Sequence, residues 1–271
     1  MKKIGFYLAI GYLSILVLAV IFYPLFAGSG LEQNIEHILE SSQSRYWFGT
    51  DSLGRDLFAR VLAGGRVSLL VGLIASLLSV AFGVTYGVLS GWYEGNTDKV
   101  LMRFCDILMA IPSFILVSVL CLTLSAVLPI QNDFIKALMS LCLGISATHW
   151  MSLARVSRGM VLELKRRPFV EAAIALGGKQ SHILLKHIFP HIAGTVLIMM
   201  AMQVPTNILY ESFMSFIGLG IHPPDTSWGI LVREGWKTLS SFPHLLLYPS
   251  LILFLTVWSI QVLVDDLRKS K

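Results

Sequence analysis

The run VSLLVGLIASLLSVAFGVTYGVLSGWY, Val67–Tyr93, contains no charged residue. About 20 apolar residues suffice for a helix to cross the roughly 30 Å hydrocarbon layer of a bilayer. A soluble core does not demand charge-free runs of that length. Gly83, Gly87 and Gly91 recur within the run at four-residue spacing, which places them on one helix face. Small residues so arranged let a second helix approach closely, so the spacing predicts a packing seam.

Outward from this run the same pattern recurs. Further apolar runs cover 4–27, 106–129, 135–154, 192–217 and 245–264. The fourth, 135–154, is the weakest, because His149 interrupts it and Arg155 follows it. Only 14% of the 271 residues are charged, against about a quarter in soluble domains. The expected fold is an all-α membrane protein with six transmembrane helices. Lys2-Lys3 followed by Ile4–Ala27 imitates a secretory signal, but the apolar stretch exceeds the 7–15 residues of such a region. It is expected to be a first, uncleaved transmembrane helix.

The basic residues give the spans a direction. With the N-terminus inside, 14 of the 21 Lys and Arg residues lie in inside segments, seven of them between Arg155 and Lys186. Cytoplasmic loops retain such residues, so both termini are expected to be cytoplasmic. The same rule accounts for the net charge of +5, and no nucleic-acid partner is expected. Cys105, Cys121 and Cys142 lie in or beside apolar runs without metal-ligand spacing, as buried packing residues do. His149 is likewise expected to pack, and Met199, Met200 and Met202 to lie in the core or face lipid.

Two segments outside the spans carry their own signals. Residues 28–66 are mostly polar and expected outside; Asp51 or Ser52 there is a candidate helix cap, and Leu57–Leu70 reads as a short interfacial helix. Residues 155–191 read as two short helices joined at Gly177-Gly178, with Pro190 near the start of the next span. Within them stand Glu171-Ala172-Ala173, then Gly177, then Phe189-Pro190. The two alanines leave a helix surface that a partner can approach closely, the glycine permits a sharp turn, and the basic flanks favour an acidic partner. These properties alone also suit an ordinary amphipathic loop helix.

The spacing is more specific than that. Glu-Ala-Ala, three residues, Gly, and then an apolar residue with Pro twelve and thirteen positions on resembles the signature of permease subunits in bacterial ABC importers. His187 stands where the general pattern is apolar, and a basic or His-containing stretch there resembles the peptide and nickel branch. Phe48-Gly49-Thr50-Asp51 with Gly54-Arg55-Asp56 is similar to that branch's outer segment, as Asp106–Pro112 is to its third-span opening. Glu211–Gly220, Pro223-Pro224 and Ser227-Trp228-Gly229 are similar to its fifth-span exit. The resemblance covers about residues 45–268. It departs at Val264, where the branch tends to have Gly before the Asp of its closing motif, and in the short tail.

The resemblance implies a type I ABC importer permease fold in the bacterial inner membrane. It divides the chain into a first helix and outer segment (1–65), a permease domain (66–265, coupling loop about 155–191) and a tail (266–271). The implied partners are a second permease subunit, two ABC ATPase subunits, an extracytoplasmic substrate-binding protein and membrane lipid. Di- or oligopeptides are the implied cargo, with nickel or its chelate as the alternative. Glu171, Ala172, Ala173, Gly177, Phe189 and Pro190 would form the ATPase-coupling loop. ATP and Mg would sit on the partner chains, with no cofactor, metal or catalytic group on this one. Gly178-Lys179 does not make a P-loop, since Ala173 stands where its first Gly belongs and Gln180 where Ser or Thr belongs. Glu211 is an ionisable group inside a span, where charge is costly and often functional. It is expected to line the pathway or to meet a subunit interface or water boundary, the structural role being favoured. A carrier that needs no ATPase would place more charge at the midplane than these spans do. A membrane anchor or sensor is the remaining rival.

Overall fold

Gly83, Gly87 and Gly91 lie against backbone, as their spacing predicts. In a computed structural model of the chain, describing residues 2–26 and 32–269, they belong to one helix, α2 (Leu57–Tyr93), which follows α1 (Lys2–Phe26). The predicted end of the first span at Ala27, residues 28–31 of the outer segment, Lys271 and the side chains of Lys2 and Lys3 lie outside the described residues. After α2 come α3 (Gly95–Met109), α4 (Ser113–Val127), α5 (Asp133–Lys165), α6 (Pro168–Ala175), α7 (Gln180–Ile183), α8 (Phe189–Ile217), α9 (Trp228–Lys237) and α10 (His244–Lys269). A Cβ on Gly83 would stand 2.5 Å from the Trp150 carbonyl oxygen, and one on Gly91 2.8 Å from that of Arg158. Gly87 faces the Ala154 carbonyl between them. The partners advance along α5 in step with the glycines, so α2 and α5 run parallel with their backbones nearly touching.

Antiparallel partners complete the bundle. On α8, Ile208 faces Gly72 and Glu211 meets Ser68, while Ile192 packs near Val84. On α1, Tyr12 donates from its hydroxyl to the Ile252 carbonyl of α10 at 3.1 Å. Five described helices are long and apolar enough to cross a membrane, and α3 with α4, bent by 91°, meets the same test when taken together as a sixth. Much of their apolar surface is exposed, including Ile15 and Leu18 of α1 and Leu251 and Phe254 of α10, as suits an exterior of lipid. One end of the bundle carries residues 32–56 and 218–243, and the other carries 166–188.

Several expectations are corrected. The third span predicted over 106–129 is not one straight helix. Pro112 cannot donate a backbone hydrogen bond and disfavours helical geometry before it, so α3 stops at Met109 and the chain turns. Leu57–Leu70 is not a separate interfacial helix but the first part of α2, which at 37 residues is roughly 55 Å long. The domain boundaries expected at 65 and 265 therefore fall inside α2 and α10. Residues 155–191 do contain a short helix and a turn at Gly177. However, α5 first runs on to Lys165, and the second helical piece continues into the fifth span.

Neither Asp51 nor Ser52 caps a helix. Asp56 does, accepting from the Phe58 N–H at 2.9 Å. Asp51 instead accepts from Arg55 Nε at 2.7 Å and Arg60 Nη1 at 2.6 Å, and Arg60 also donates to Glu234 of α9 at 2.5 Å. Arg60 is 1% exposed, so two arginines and two carboxylates lock the outer segment to α2 and α9. Removing one member of a buried charge group strands the other. Asp51→Ala is expected to destabilise the solubilised protein by about 3 kcal/mol, read as a lowered unfolding midpoint. An unchanged midpoint would mean that this network contributes nothing to holding the segment.

Candidate functional site

The chain leaves α5 through Arg166 and Arg167 and re-enters a helix at Pro168, whose missing N–H is no loss in a first helical turn. Val170 of α6 is fully buried. With Ala173, three positions on and on the same face, it packs against Val84, Trp92, Val161, Ile183, Ile188 and Ile192. That anchoring turns Glu171, Ala172, Ile174 and Ala175 outward. The helix ends in a Schellman motif: Gly177 donates to the Ile174 carbonyl at 2.9 Å and Gly178 to that of Ala173 at 3.1 Å. Gly177 has φ +76°, a left-handed conformation open to glycine at little cost.

The return path is shaped by Pro190. It has no N–H for the Lys186 carbonyl, and its ring would crowd that carbonyl in a regular helix. The backbone widens over Leu184–Ile188 into a π turn, with the Phe189 N–H donating to the Leu184 carbonyl. His191 then stacks on Phe169 at the start of α6, ring centroids 5.0 Å apart. Glu171, Ala172, Ala173, Gly177, Phe189 and Pro190 thus share one lobe at one end of the bundle. The spacing did not single out Phe169, Ile174, Leu176 and Leu185, which add exposed apolar surface to it, Leu176 being 88% exposed. Lys179 and Lys186 supply positive charge beside them. Such a lobe can seat in an apolar, acidic groove. It has no arrangement of groups for bond-breaking chemistry.

Glu211 is elsewhere, near the opposite end, and 0% exposed. Its carboxylate accepts from Ser68 Oγ of α2 at 2.6 Å and Ser215 Oγ at 2.8 Å, with Ser212 Oγ at 3.4 Å. Ser68 Oγ in turn accepts from the backbone N–H of Trp228, at the start of α9, at 3.2 Å. This enclosure by the chain's own hydroxyls does not match a place on a subunit interface, in an open pathway or at a water boundary, because no surface of Glu211 is left to share. His149 packs as expected, edge-on to Tyr210 and hydrogen-bonded to Asn207, whose amide donates to Ser76 Oγ at 2.8 Å. Asn207 and Ser76 escaped the sequence reading. A usable signal was present, since Asn207, Glu211 and Ser215 recur every four residues and form one inward polar stripe on α8. Among the described residues no group of three or more His, Cys, Asp or Glu side chains is placed to hold a metal ion.

Comparison with known proteins places this geometry among relatives. Residues 83–269 match the family described as binding-protein-dependent transport system inner membrane component. The chain is 37% identical over 257 residues to the oligopeptide transport system permease protein OppC of Bacillus subtilis (strain 168), covering 94% of this chain and 80% of that protein. It is 35% identical over 257 residues to the dipeptide transport system permease protein DppC of the same organism, covering 94% and 77%. Its fold is similar to a chain of the inward-facing MetNI methionine ABC transporter, with a TM-score of 0.62 at 16% identity, covering 79% of this chain and 98% of that one.

Proposed function

The chain belongs to the binding-protein-dependent transport system inner membrane components, and from that premise we propose that it forms half of a peptide pathway driven by separate ATPase chains. It is a multi-pass inner-membrane permease of an ABC importer in the peptide branch. Relatives named for oligopeptides and dipeptides favour peptide cargo over nickel. The remaining half of the pathway comes from a second permease, and a substrate-binding protein delivers cargo to the end carrying residues 32–56. The distribution of basic residues supports a cytoplasmic place for the end carrying α6.

The exposed α6–Gly177 lobe carries the proposal. Glu171, Ala172 and Ala173 present a low-profile helix surface, framed by Leu176 and Leu185, to a groove on an ATPase subunit. Closure of two ATPase subunits on ATP moves the lobe. Val170 and Ala173 pass that movement to α2, α5 and α8, against which they pack. The pathway then switches between its two facings as one two-state element biased by nucleotide.

Gly177 offers the sharpest test. A Cβ there would meet nothing within 4 Å, so substitution strains the turn without disturbing the core. Placing valine in the left-handed region costs about 1–2 kcal/mol, enough to shift the turn's population about tenfold. In the reconstituted importer, Gly177→Val is expected to lower peptide uptake per ATP hydrolysed about tenfold with membrane insertion unchanged. Uptake at the wild-type ratio would count against the coupling role. The chain purified alone is expected to hydrolyse no ATP, and turnover by the single chain would reject the subunit reading.

A further inference from the structure

A cleft of about 290 Å³ opens between α4, the first turns of α5 and the 218–225 loop. It lies at the end of the bundle opposite the α6 lobe. Four ionisable side chains line it: Asp133 and Lys136 on α5, and His222 and Asp225 on the loop. Among the described residues none of the four takes part in an ion pair or a side-chain hydrogen bond, although Asp133 and Lys136 are one helical turn apart. One turn deeper, Ser140 also lines the cleft. It is 2% exposed, and its hydroxyl has no hydrogen-bond partner. Burial pushes the Asp225 carboxyl above its ordinary value. Between these polar groups the wall is apolar, with Phe134, Leu219 and Pro223.

Unpaired charges of both signs, an unsatisfied buried hydroxyl and an apolar wall together complement a small zwitterion with an apolar body. We propose that this cleft is a subsite for the charged ends of a short peptide, the ammonium held by Asp225 and the carboxylate by Lys136. The volume lies at the small end of ligand pockets, about 300 Å³ and upward, and suits a dipeptide or one end of a longer peptide. The inference rests on the importer reading and adds to it a place where cargo meets this chain.

The probe is dialanine, with its N-acetyl and C-amide forms. Its equilibrium binding is measured on the assembled permease–ATPase complex in phosphatidylglycerol nanodiscs without binding protein. Charge-assisted contacts of this kind are worth about tenfold or more in affinity. Asp225→Asn is expected to weaken dialanine at least that much and to leave the N-acetyl form unaffected. Lys136→Ala is expected to do the same with respect to the C-amide. Basal ATP hydrolysis of each complex verifies that the variants assemble. Unaltered dialanine binding in both assembled variants overturns the proposal. So does displacement by phosphatidylethanolamine with no effect of blocking the peptide ends, which would assign the cleft to a lipid headgroup. Uptake by the complete importer separates the two readings. No peptide uptake, with variant-sensitive dialanine binding intact, rejects the cargo and supports the cleft. Peptide uptake with variant-insensitive binding rejects the cleft alone.

Discussion

Gly87→Leu is expected to eliminate the folded protein from the membrane. A Cβ at position 87 falls on the backbone of Ala154, with the Ala154 carbonyl carbon and Cα each at 2.9 Å. Where a new methylene meets a flexible side chain, a core can yield at a cost of about 1–3 kcal/mol. Backbone in a packed helix has no such freedom. Gly83 and Gly91 hold the same close approach one turn to either side, so α2 cannot swing away from α5 at one point without opening the whole seam. In lipid, apolar side chains gain little by leaving their surroundings, and helix association depends on this kind of close van der Waals packing. The check is the yield of monodisperse solubilised protein, compared with Gly159→Leu. Gly159 lies on α5 with nothing within 4 Å of a built Cβ, and its substitution is expected to leave the yield unchanged. A wild-type yield from Gly87→Leu would show that the seam does not organise the bundle.

That seam was legible because four-residue spacing is a local signal, and a helix turns it directly into a face. The break at Pro112 was not, since apolar residues continue on both sides of it and a hydropathy window averages across a single proline. Arg60 shows a different limit. The mix of apolar and basic residues over Leu57–Leu70 reads as a short interfacial helix. Arg60 instead turns inward to Asp51 and to Glu234, 174 residues away. Nothing local announces a partner at that separation. The helix cap failed by one short step: an Asp was the right residue type, but register chose Asp56 over Asp51.

The coupling lobe was legible because its parts lie close together in the chain and each has a backbone reason. Pro168 opens α6, Gly177 closes it, and Pro190 forces the π turn that starts the next span. Their spacing fixes the outline of the lobe, whereas its orientation comes from Val170 and Ala173 finding α2 and α5. The exposed ring of Phe169 and the side chain of Leu176 follow from that orientation, so no local pattern marks them. Glu211 is the reverse case. Its charge drew attention to it at once, while its partners lie on α2 and α8 and a further link runs to α9.

Those partners predict what Glu211 does. Glu211→Leu is expected to cost about 2–3 kcal/mol, because Ser68 and Ser215, both fully buried, lose their shared acceptor. Part of the loss is recoverable, since a serine hydroxyl can turn to the carbonyl four residues before it. Ser68 is the costlier loss, because it also accepts the Trp228 N–H and so ties α9 to α2. Loosening it frees the start of α9, with the indole that donates to the Val61 carbonyl at 2.9 Å. Glu211→Gln retains a carbonyl oxygen for one serine and offers an amide donor to the other, so its cost is expected to be under about 1 kcal/mol. Unfolding midpoints of the two variants measure this difference. Peptide uptake then separates structure from passage. A carboxylate that touched cargo would lose transport on neutralisation with the fold intact. One that joins helices would keep transport in the glutamine variant and lose it in the leucine variant together with the fold. The second pattern is expected, because every partner of this carboxylate belongs to the chain's own interior.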